Sequence, residues 1–290
     1  MITVKVPATS ANCSVGFDSM GLALDWKCSV TFDFCDQLTI TGCPEEYCTK
    51  DNLVYQAFVL ACQACQREVP GVSIAIDSDV PFARGLGSSS LCYVAGLCGA
   101  NALLDLGLDR EQLLELATRL EGHPDNAAPA IYGGLCVCVP QEDELVHFSM
   151  GAHGWKVLAV IPDYEVSTAS ARKVLPASIS LKEAAGQVGR ALLFEHAWIS
   201  EDEAMLYRAC EDVLHEPARS KLIEEYPAMK ALADEYRMPF WISGSGSTMA
   251  FVSQSEQSLH DIADRIESVA PSLVCRYMHA ANEGAEVIYG

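Results

Sequence analysis

A glycine-rich segment at residues 81–90, PFARGLGSSS, constrains this chain more than any other feature. Gly85 and Gly87 allow the backbone to approach an anion without a Cβ in the way. The uncharged run that follows predicts a helix to Leu104, whose first N–H groups would point at that anion. No lysine lies nearby, so the GK[ST] phosphate loop is excluded. Backbone amides and serines would hold the phosphate, and a nucleoside triphosphate is the expected ligand.

The segment allows two other interpretations. Glycine turns that simply open a buried helix are common, so the segment alone does not prove a phosphate site. A dinucleotide-binding fold is disfavoured, because GLGSSS lacks the third glycine of G-x-G-x-x-G/A. Asp105 follows Gly85 by twenty residues but stands at the end of the helical run rather than after a second strand.

Composition limits the classes of partner. The 290 residues suffice for one large domain or two medium ones. A formal charge of −20 argues against nucleic acid or an anionic membrane surface as a partner, and it gives weight to the few arginines near glycine turns. An odd count of 13 cysteines, mostly in apolar runs and without a signal-peptide pattern, predicts reduced thiols in a cytoplasmic protein. Cys62 and Cys65 fit an amphipathic helix better than a zinc site.

Hydrophobic periodicity predicts an α+β protein, because strands and helices mix without strict alternation. The expected strands are 2–6, 30–40, 72–77, 135–139, 156–161, 240–242, 249–252 and a closing pair. The expected helices are 52–67, the run up to 104, 109–120, 168–174, 189–198, 204–214, 221–237 and 256–269. Residues 7–24 are expected to form turns. A break near residues 151–154 predicts an N-terminal ATP-binding domain at 1–153 and a second domain at 154–290.

Three segments rich in glycine and small polar residues share a family pattern: PATSANCSVGFD, PFARGLGSSS and ISGSGSTMAF. Their order and spacing resemble the signature motifs of the superfamily of galactokinase, homoserine kinase, mevalonate kinase and phosphomevalonate kinase. The resemblance is closest to the homoserine kinases, through PATSAN with GFD, EGHPDNAAPAIYGG, STASAR at 167–172 and EPARSKL at 216–222. It covers nearly the whole chain.

The resemblance implies a two-domain small-molecule kinase fold, with an N-terminal domain like ribosomal protein S5 domain 2 and a C-terminal ferredoxin-like domain. The active site would lie between them. The implied activity is ATP-dependent phosphorylation of the side-chain hydroxyl of L-homoserine, in threonine biosynthesis. A homodimer is left open.

By similarity, the whole glycine loop would wrap the triphosphate: Pro81, Phe82, Ala83, Arg84, Gly85, Leu86, Gly87, Ser88, Ser89 and Ser90. Asn52 would reach the adenine end. Ser88 and Glu115 would hold Mg²⁺, a hard ion that takes hydroxyl, carboxylate and phosphate oxygens. Without the resemblance, Glu115 would be interpreted as a solvated helix residue paired with Arg119.

The resemblance also implies a site for the amino acid. Arg172 and Arg219 would bind its carboxylate, since a guanidinium fork matches two oxygens. The other substrate residues would be Asn12, Asp18 and Asp125 at the amino end, Thr168 and His123 in the pocket wall, Asn126 on the attacking hydroxyl, and Gly244 in the third motif. Asp125 is either a base or a positioning group, and the loose transition state of phosphoryl transfer favours positioning.

Two residues depart from the family pattern, since Ser14 stands where glycine is common and Ser247 where proline is common. Both departures concern turns, so they put local geometry in doubt rather than activity.

Three other functions are alternatives to this one. A kinase for another alcohol and a non-catalytic sensor of ATP or an amino acid stay open, whereas a serine hydrolase lacks the required G-x-S-x-G.

Overall fold

The computed structural model describes residues 1–142 and 144–290. Its strands are β1 Ile2–Ala11, β2 Met20–Phe34, β3 Thr39–Thr41, β4 Val72–Asp77, β5 Leu135–Pro140, β6 Leu145–Met150, β7 Lys156–Ile161, β8 Phe240–Ile242, β9 Met249–Ser253, β10 Val274–His279 and β11 Glu286–Tyr289. Its α-helices are α1 Leu53–Ala64, α2 Ser88–Leu104, α3 Arg110–Glu121, α4 Ala127–Tyr132, α5 Thr168–Lys173, α6 Leu181–Ser200, α7 Glu203–Ala209, α8 Glu216–Arg219, α9 Tyr226–Tyr236 and α10 Glu256–Val269. The α+β prediction is confirmed.

The larger sheet has seven strands. Its main path is β11-β1-β2-β4-β3, and β2 also pairs with β5, which carries β6. The 15-residue β2 makes this possible, since residues 20–22 pair with β5 and residues 29–34 with β4. Buried residues of these strands and of α1 to α4 form one hydrophobic core. The last strand, β11, pairs with the first, so the end of the chain returns to this sheet.

The smaller sheet has the antiparallel order β10-β7-β9-β8. One crossover with helices separates β7 from β8, a turn joins β8 to β9, and α10 separates β9 from β10. This is the β-α-β-β-α-β arrangement of a ferredoxin-like fold, as predicted. Residues of this sheet and of α9 and α10 form a second core. The predicted division at residue 153 stays a prediction.

Local sequence explains where the site helices begin and end. Asp109 and Gln112 form a reciprocal capping box at the start of α3, and Gly122 ends it at φ +88°. Ser180 and Glu183 form a second box at the start of α6. Within the described residues, no helix is long and apolar enough to cross a membrane.

Several predicted boundaries were wrong. Residues 7–24 were expected to be turns, but β1 and β2 extend into them and leave only residues 12–19 as a turn, because small residues pair as well as large ones where both faces are covered. The single predicted strand at 30–40 is two strands, β2 and β3. Strand β6 was missed, α6 begins eight residues before its predicted start, and residues 221–225 precede α9 rather than belong to it.

Candidate active site

A cavity of about 620 Å³ opens where three turns meet. They are residues 12–19 between β1 and β2, residues 78–87 between β4 and α2, and residues 243–248 between β8 and β9. Each of the three motifs identified in the sequence overlaps one of these turns. The fold therefore brings together segments more than 200 residues apart in the chain, since the Asn12 side-chain amide donates to the Gly244 carbonyl at 2.9 Å.

Close backbone contacts join the turns. The Gly244 N–H donates to the Ala11 carbonyl at 3.1 Å, and the Ser243 hydroxyl donates to the Gly85 carbonyl at 2.6 Å. A Cβ on Gly85 would lie 2.1 Å from the Ser243 carbonyl oxygen. Position 85 therefore requires glycine for two reasons. The third motif approaches too closely for a Cβ, and residue 85 has a φ of +80°.

The glycine loop has the backbone geometry of an anion site. Ala83, Gly85 and Gly87 adopt left-handed conformations, with φ of +53°, +80° and +68°. Alternation of left-handed with other conformations turns successive N–H groups toward one side of a loop. Helix α2 starts directly after the loop, and no side chain of the described residues caps its first turn. Its N-terminal N–H groups and dipole are therefore available to an anion.

Part of the predicted triphosphate loop lines the cavity: Phe82, Ala83, Gly85, Gly87, Ser88 and Ser89. The other predicted members do not: Pro81, Arg84, Leu86 and Ser90. The Arg84 guanidinium lies 3.5 Å from the carboxylates of Asp163 and Glu165. Leu86 and Ser90 are buried in the protein. A tight loop exposes only part of its length to a cavity, so the triphosphate contacts of these four residues stay a prediction that the lining does not support.

The carboxylate beside the loop is Glu121, not Glu115. Glu115 is exposed on α3 and does not line the cavity, so its position does not support the predicted role as a metal ligand. Glu121, six residues later, lines the cavity and accepts a hydrogen bond of 2.7 Å from the Ser89 hydroxyl. Its Oε2 is buried without a hydrogen-bond partner among the described residues. Burial raises the pKa of this carboxyl group, and the hydrogen bond from Ser89 offsets only part of that effect.

All nine predicted substrate residues line the cavity: Asn12, Asp18, His123, Asp125, Asn126, Thr168, Arg172, Arg219 and Gly244. Asp18 and Arg172 form a bidentate ion pair, with N–O distances of 2.9 and 3.0 Å. The Asn12 side chain fixes the Asp18 backbone by accepting its N–H at 3.0 Å. Opposite charges and a buried guanidinium, Arg219, therefore lie at one end of the cavity.

A second polar group lies between the two ends. His123 Nδ1 is 2.5 Å from Asp125 Oδ1. Burial lowers the pKa of His123, but the hydrogen bond and charge of Asp125 outweigh it, so the net pKa is raised. Asn126 Oδ1 accepts a hydrogen bond of 2.7 Å from the Thr9 hydroxyl, which leaves the Asn126 amide N–H groups for another partner.

The cavity wall beside Asn52 contains residues that belong to none of the sequence motifs. Cys43, Pro44 and Tyr47 line the cavity beside Asn52. The Asn52 side chain caps α1 by accepting from Val54 N at 2.9 Å, and it donates to the Tyr47 carbonyl at 3.0 Å. Asn52 thus holds the wall in shape as well as lining it. Only the position of these residues in the fold reveals them, because none belongs to a recognisable motif.

The two departures from the family pattern sit in strained or close-packed turns. Ser14 has a φ of +63°, a conformation that glycine adopts without strain, and its buried hydroxyl has no partner among the described residues. The Ser247 hydroxyl donates to the Tyr164 carbonyl at 2.7 Å. Both positions keep the turn conformations that the cavity needs.

Comparison with known proteins identifies the family. The GHMP kinases N-terminal domain matches residues 52–134. A homoserine kinase from Clostridium beijerinckii is 40% identical over 262 residues, which covers 89% of this chain and 88% of that protein. This chain belongs to the homoserine kinase family.

Two further members of the homoserine kinase family agree. One from Clostridium botulinum (strain Eklund 17B) is 35% identical over 296 residues and covers 100% of this chain and 99% of its own. The crystal structure of homoserine kinase from Cytophaga hutchinsonii superposes with a TM-score of 0.87 at 29% identity, covering 99% of this chain and 97% of that one. The family and the small-molecule kinase fold that the motifs predicted are confirmed.

Proposed function

We propose that this protein transfers the γ-phosphoryl group of ATP to the side-chain hydroxyl of L-homoserine, giving O-phospho-L-homoserine for threonine biosynthesis. One observation carries the proposal: a single cavity has an uncapped helix N-terminus with a left-handed glycine loop at one end and Asp18, Arg172 and Arg219 at the other. Such a site suits a polyphosphate and a zwitterion held side by side. The relatives named homoserine kinase support this choice.

ATP would lie along the glycine loop, with its phosphates on the backbone N–H groups of residues 83–89. This protein carries its positive potential there in peptide dipoles rather than in a lysine. The base would lie toward the wall of Cys43, Tyr47 and Asn52, which faces the same cavity. A net charge of −20 makes such local positive features necessary for binding a polyanion.

The residues near the loop fit Mg²⁺. Among the described residues, no group of three or more His, Cys, Asp or Glu side chains could hold a metal by itself. Mg²⁺ does not require one, because it commonly takes one or two carboxylates together with substrate phosphates and water. The unpartnered buried oxygen of Glu121 and the hydroxyls of Ser88 and Ser89 supply suitable hard donors. Bound there, the ion would neutralise charge on the β- and γ-phosphates.

The amino-acid end would select a zwitterion. At this end of the cavity Asp18 and Arg172 neutralise each other. A ligand with both charges can replace that ion pair, its carboxylate on Arg172 and Arg219 and its ammonium on Asp18. An uncharged sugar would separate the Asp18–Arg172 pair or leave Arg219 without a carboxylate partner. Either outcome costs binding free energy, because a desolvated charge stays unpaired. This argues against the sugar kinases as the alternative function.

The side-chain hydroxyl would then lie near Asn126, whose free amide N–H groups can orient it. Asp125 is already paired with His123, so its lone pairs are less available to remove a proton. A loose transition state does not need early deprotonation, because the hydroxyl proton is lost after the bond to the leaving group has largely broken. Asp125 and His123 would therefore position the substrate. We also propose a cytoplasmic location, since the chain carries 13 free thiols.

The test is the release of ADP from ATP and Mg²⁺ by the purified protein, with L-homoserine, L-serine, L-threonine, mevalonate or galactose as acceptor. Strong stimulation by homoserine, and little by the other four, is the expected result. Turnover on a different alcohol would keep the kinase activity and replace the substrate. No turnover on any of the five by folded protein would favour the sensor.

A further inference from the structure

A buried polar cluster lies behind the amino-acid end of the cavity. We define the support cluster as Gln187, Asp212 and His215. All three residues are buried, with 6%, 7% and 0% exposure, and none lines the cavity. Buried polar side chains are costly unless they are hydrogen-bonded, so a fully connected cluster of this kind requires an explanation.

Asp212 fixes the start of α8, the helix that carries Arg219. Its Oδ2 accepts from the backbone N–H groups of Leu214, His215 and Glu216, at 3.0, 2.7 and 2.8 Å. Three such bonds to one carboxylate oxygen hold this short helix at a defined orientation.

Gln187 connects Asp212 to the first motif. Its Nε2 donates to Asp212 Oδ1 at 2.6 Å and to the Val15 carbonyl at 2.8 Å. Helix α6, which carries Gln187, thereby joins the start of α8 to the turn at residues 12–19. The support cluster ties together two of the segments that form the amino-acid end.

The hydrogen bonds of His215 define its tautomer. The Ser14 carbonyl, 2.8 Å from His215 Nε2, can only accept, so Nε2 carries the proton. The Arg219 guanidinium can only donate, so Nδ1, 3.4 Å from Arg219 Nη1, is the acceptor. The imidazole is therefore neutral, and burial, which lowers the pKa of His215, favours that form.

Arg219 is held on several sides. Besides His215, its Nη1 donates to the Gly244 carbonyl at 2.9 Å and its Nε to the Ala171 carbonyl at 3.5 Å. The Phe17 ring lies 5.1 Å from the guanidinium carbon and stacks on His215 at 5.3 Å between centroids. Arg219 forms no ion pair among the described residues, so these contacts use part of its fork and leave the remainder toward the cavity.

We propose that His215 is a positioning residue that, fixed by Asp212 and Gln187, directs the Arg219 guanidinium at the substrate carboxylate. This inference rests on the proposed function and adds a residue that does not touch the substrate. It follows from the contacts, because His215 is the only side chain of the described residues that hydrogen-bonds Arg219. A neutral acceptor at that point orients the guanidinium without consuming its charge, whereas a carboxylate would neutralise it.

Two variants separate the hydrogen bonds of His215. His215→Asn keeps an acceptor near the position of Nδ1, and His215→Gln keeps a donor near the position of Nε2. We expect the Gln variant to raise KM for homoserine roughly tenfold to a hundredfold, the range of a lost hydrogen bond to a charged group. The Asn variant should recover most of that loss. KM for ATP should change little in both.

A substrate without the carboxylate tests the role directly. 3-Aminopropan-1-ol keeps the hydroxyl, the ammonium and their separation but offers nothing to Arg219. The Gln variant should lose kcat/KM with homoserine and keep its kcat/KM with the amino alcohol. Equal losses with both substrates, an equal rise in KM for ATP, or a Gln variant as active as the Asn variant would overturn the positioning role.

Separate control experiments distinguish a loss of folding from a loss of function. Circular dichroism and urea unfolding would show whether each variant folds. If the Gln variant does not, Asp212→Asn must give the same selective loss with homoserine, and its absence would overturn the proposal. A wild-type protein that does not phosphorylate homoserine would overturn the proposed function and this inference together. An active wild type with unselective variants would overturn this inference alone.

Discussion

The two ends of the cavity are built in different ways. The phosphate end is built mainly from one short segment, residues 82–89, and its proposed binding groups are backbone N–H groups set by left-handed residues. The amino-acid end consists of charged side chains from segments around residues 18, 172 and 219. A phosphate site can thus be encoded by a conformation of one short segment, whereas a zwitterion site requires charges that the whole fold brings together.

The difference has an energetic consequence. Backbone dipoles at a helix N-terminus need no counterion when the site is empty. Charged side chains need partners, which the Asp18–Arg172 ion pair supplies for two of them and the neutral His215 and backbone carbonyl groups supply for Arg219. We therefore expect the glycine loop itself to tolerate few changes of shape and the amino-acid end to tolerate few changes of charge.

The first prediction concerns Glu121, the carboxylate that lines the cavity beside the glycine loop. Glu121→Gln removes the carboxylate charge beside the loop and keeps the shape of the side chain. We expect kcat to fall roughly 100- to 1,000-fold, the scale on which removal of one electrostatic stabiliser acts. The Mg²⁺ concentration required for half-maximal activity should rise as well. Steady-state kinetics over a series of Mg²⁺ concentrations measures both.

The matched control is Glu115→Gln on the same helix. Glu115 is exposed and outside the cavity, so its variant should keep wild-type turnover and Mg²⁺ dependence. A normal Glu121→Gln enzyme beside an impaired Glu115→Gln enzyme would restore the assignment made from sequence and contradict the one made from the fold.

A helical wheel separates Glu115 from Glu121. In α3 the buried residues include Leu114 and Ala117, and Glu121 continues that face at spacings of three and four. Glu115 lies on the opposite, solvated face. An acidic residue on the apolar stripe of an amphipathic helix is a signal in the sequence that favours Glu121 over Glu115.

The sequence predicted the features that a local conformation determines, and it missed those that depend on contacts between distant segments. Gly85 and Gly87 were informative because a local conformation requires glycine. The arginines were found through motifs, whereas the role of Asp212 and His215 depends on contacts with residues 14 and 187, which no local pattern specifies. The strand ends at residues 7–11 and 20–24 were missed because tertiary pairing outweighs the turn preference of small residues.

The next prediction concerns the two arginines at the amino-acid end. Arg172→Ala and Arg219→Ala should each raise KM for homoserine roughly a hundredfold, since each removes one of the two guanidinium partners proposed for the substrate carboxylate. KM for ATP should change far less, because neither guanidinium forms a hydrogen bond with the described residues of the glycine loop. Arg276→Ala is the control, as Arg276 pairs with Asp79 outside the cavity and should leave both constants unchanged. Equal rises for both substrates would contradict the assignment of the carboxylate site.

The last prediction concerns stability rather than activity. Glu216, next to the support cluster, is buried, and burial raises its pKa to about 8, although its Oε1 accepts from Ile242 N at 2.9 Å. The folded protein therefore keeps a proton that the unfolded chain releases above about pH 4.3. This contribution to stability is complete below the unfolded pKa and is lost as the pH rises toward 8, at no more than about 1.4 kcal/mol per pH unit.

Glu216→Gln keeps the acceptor for Ile242 and removes the titration. We expect its free energy of unfolding to depend less on pH between 5 and 8 than that of the wild type, so that the variant gains relative stability toward pH 8. Urea unfolding at several pH values measures this, with the exposed Glu224→Gln as control. Parallel curves for the wild type and Glu216→Gln would mean that Glu216 is ionised in the folded protein. The amino-acid end would then hold one more buried negative charge near Arg219, and that charge would compete with the substrate carboxylate.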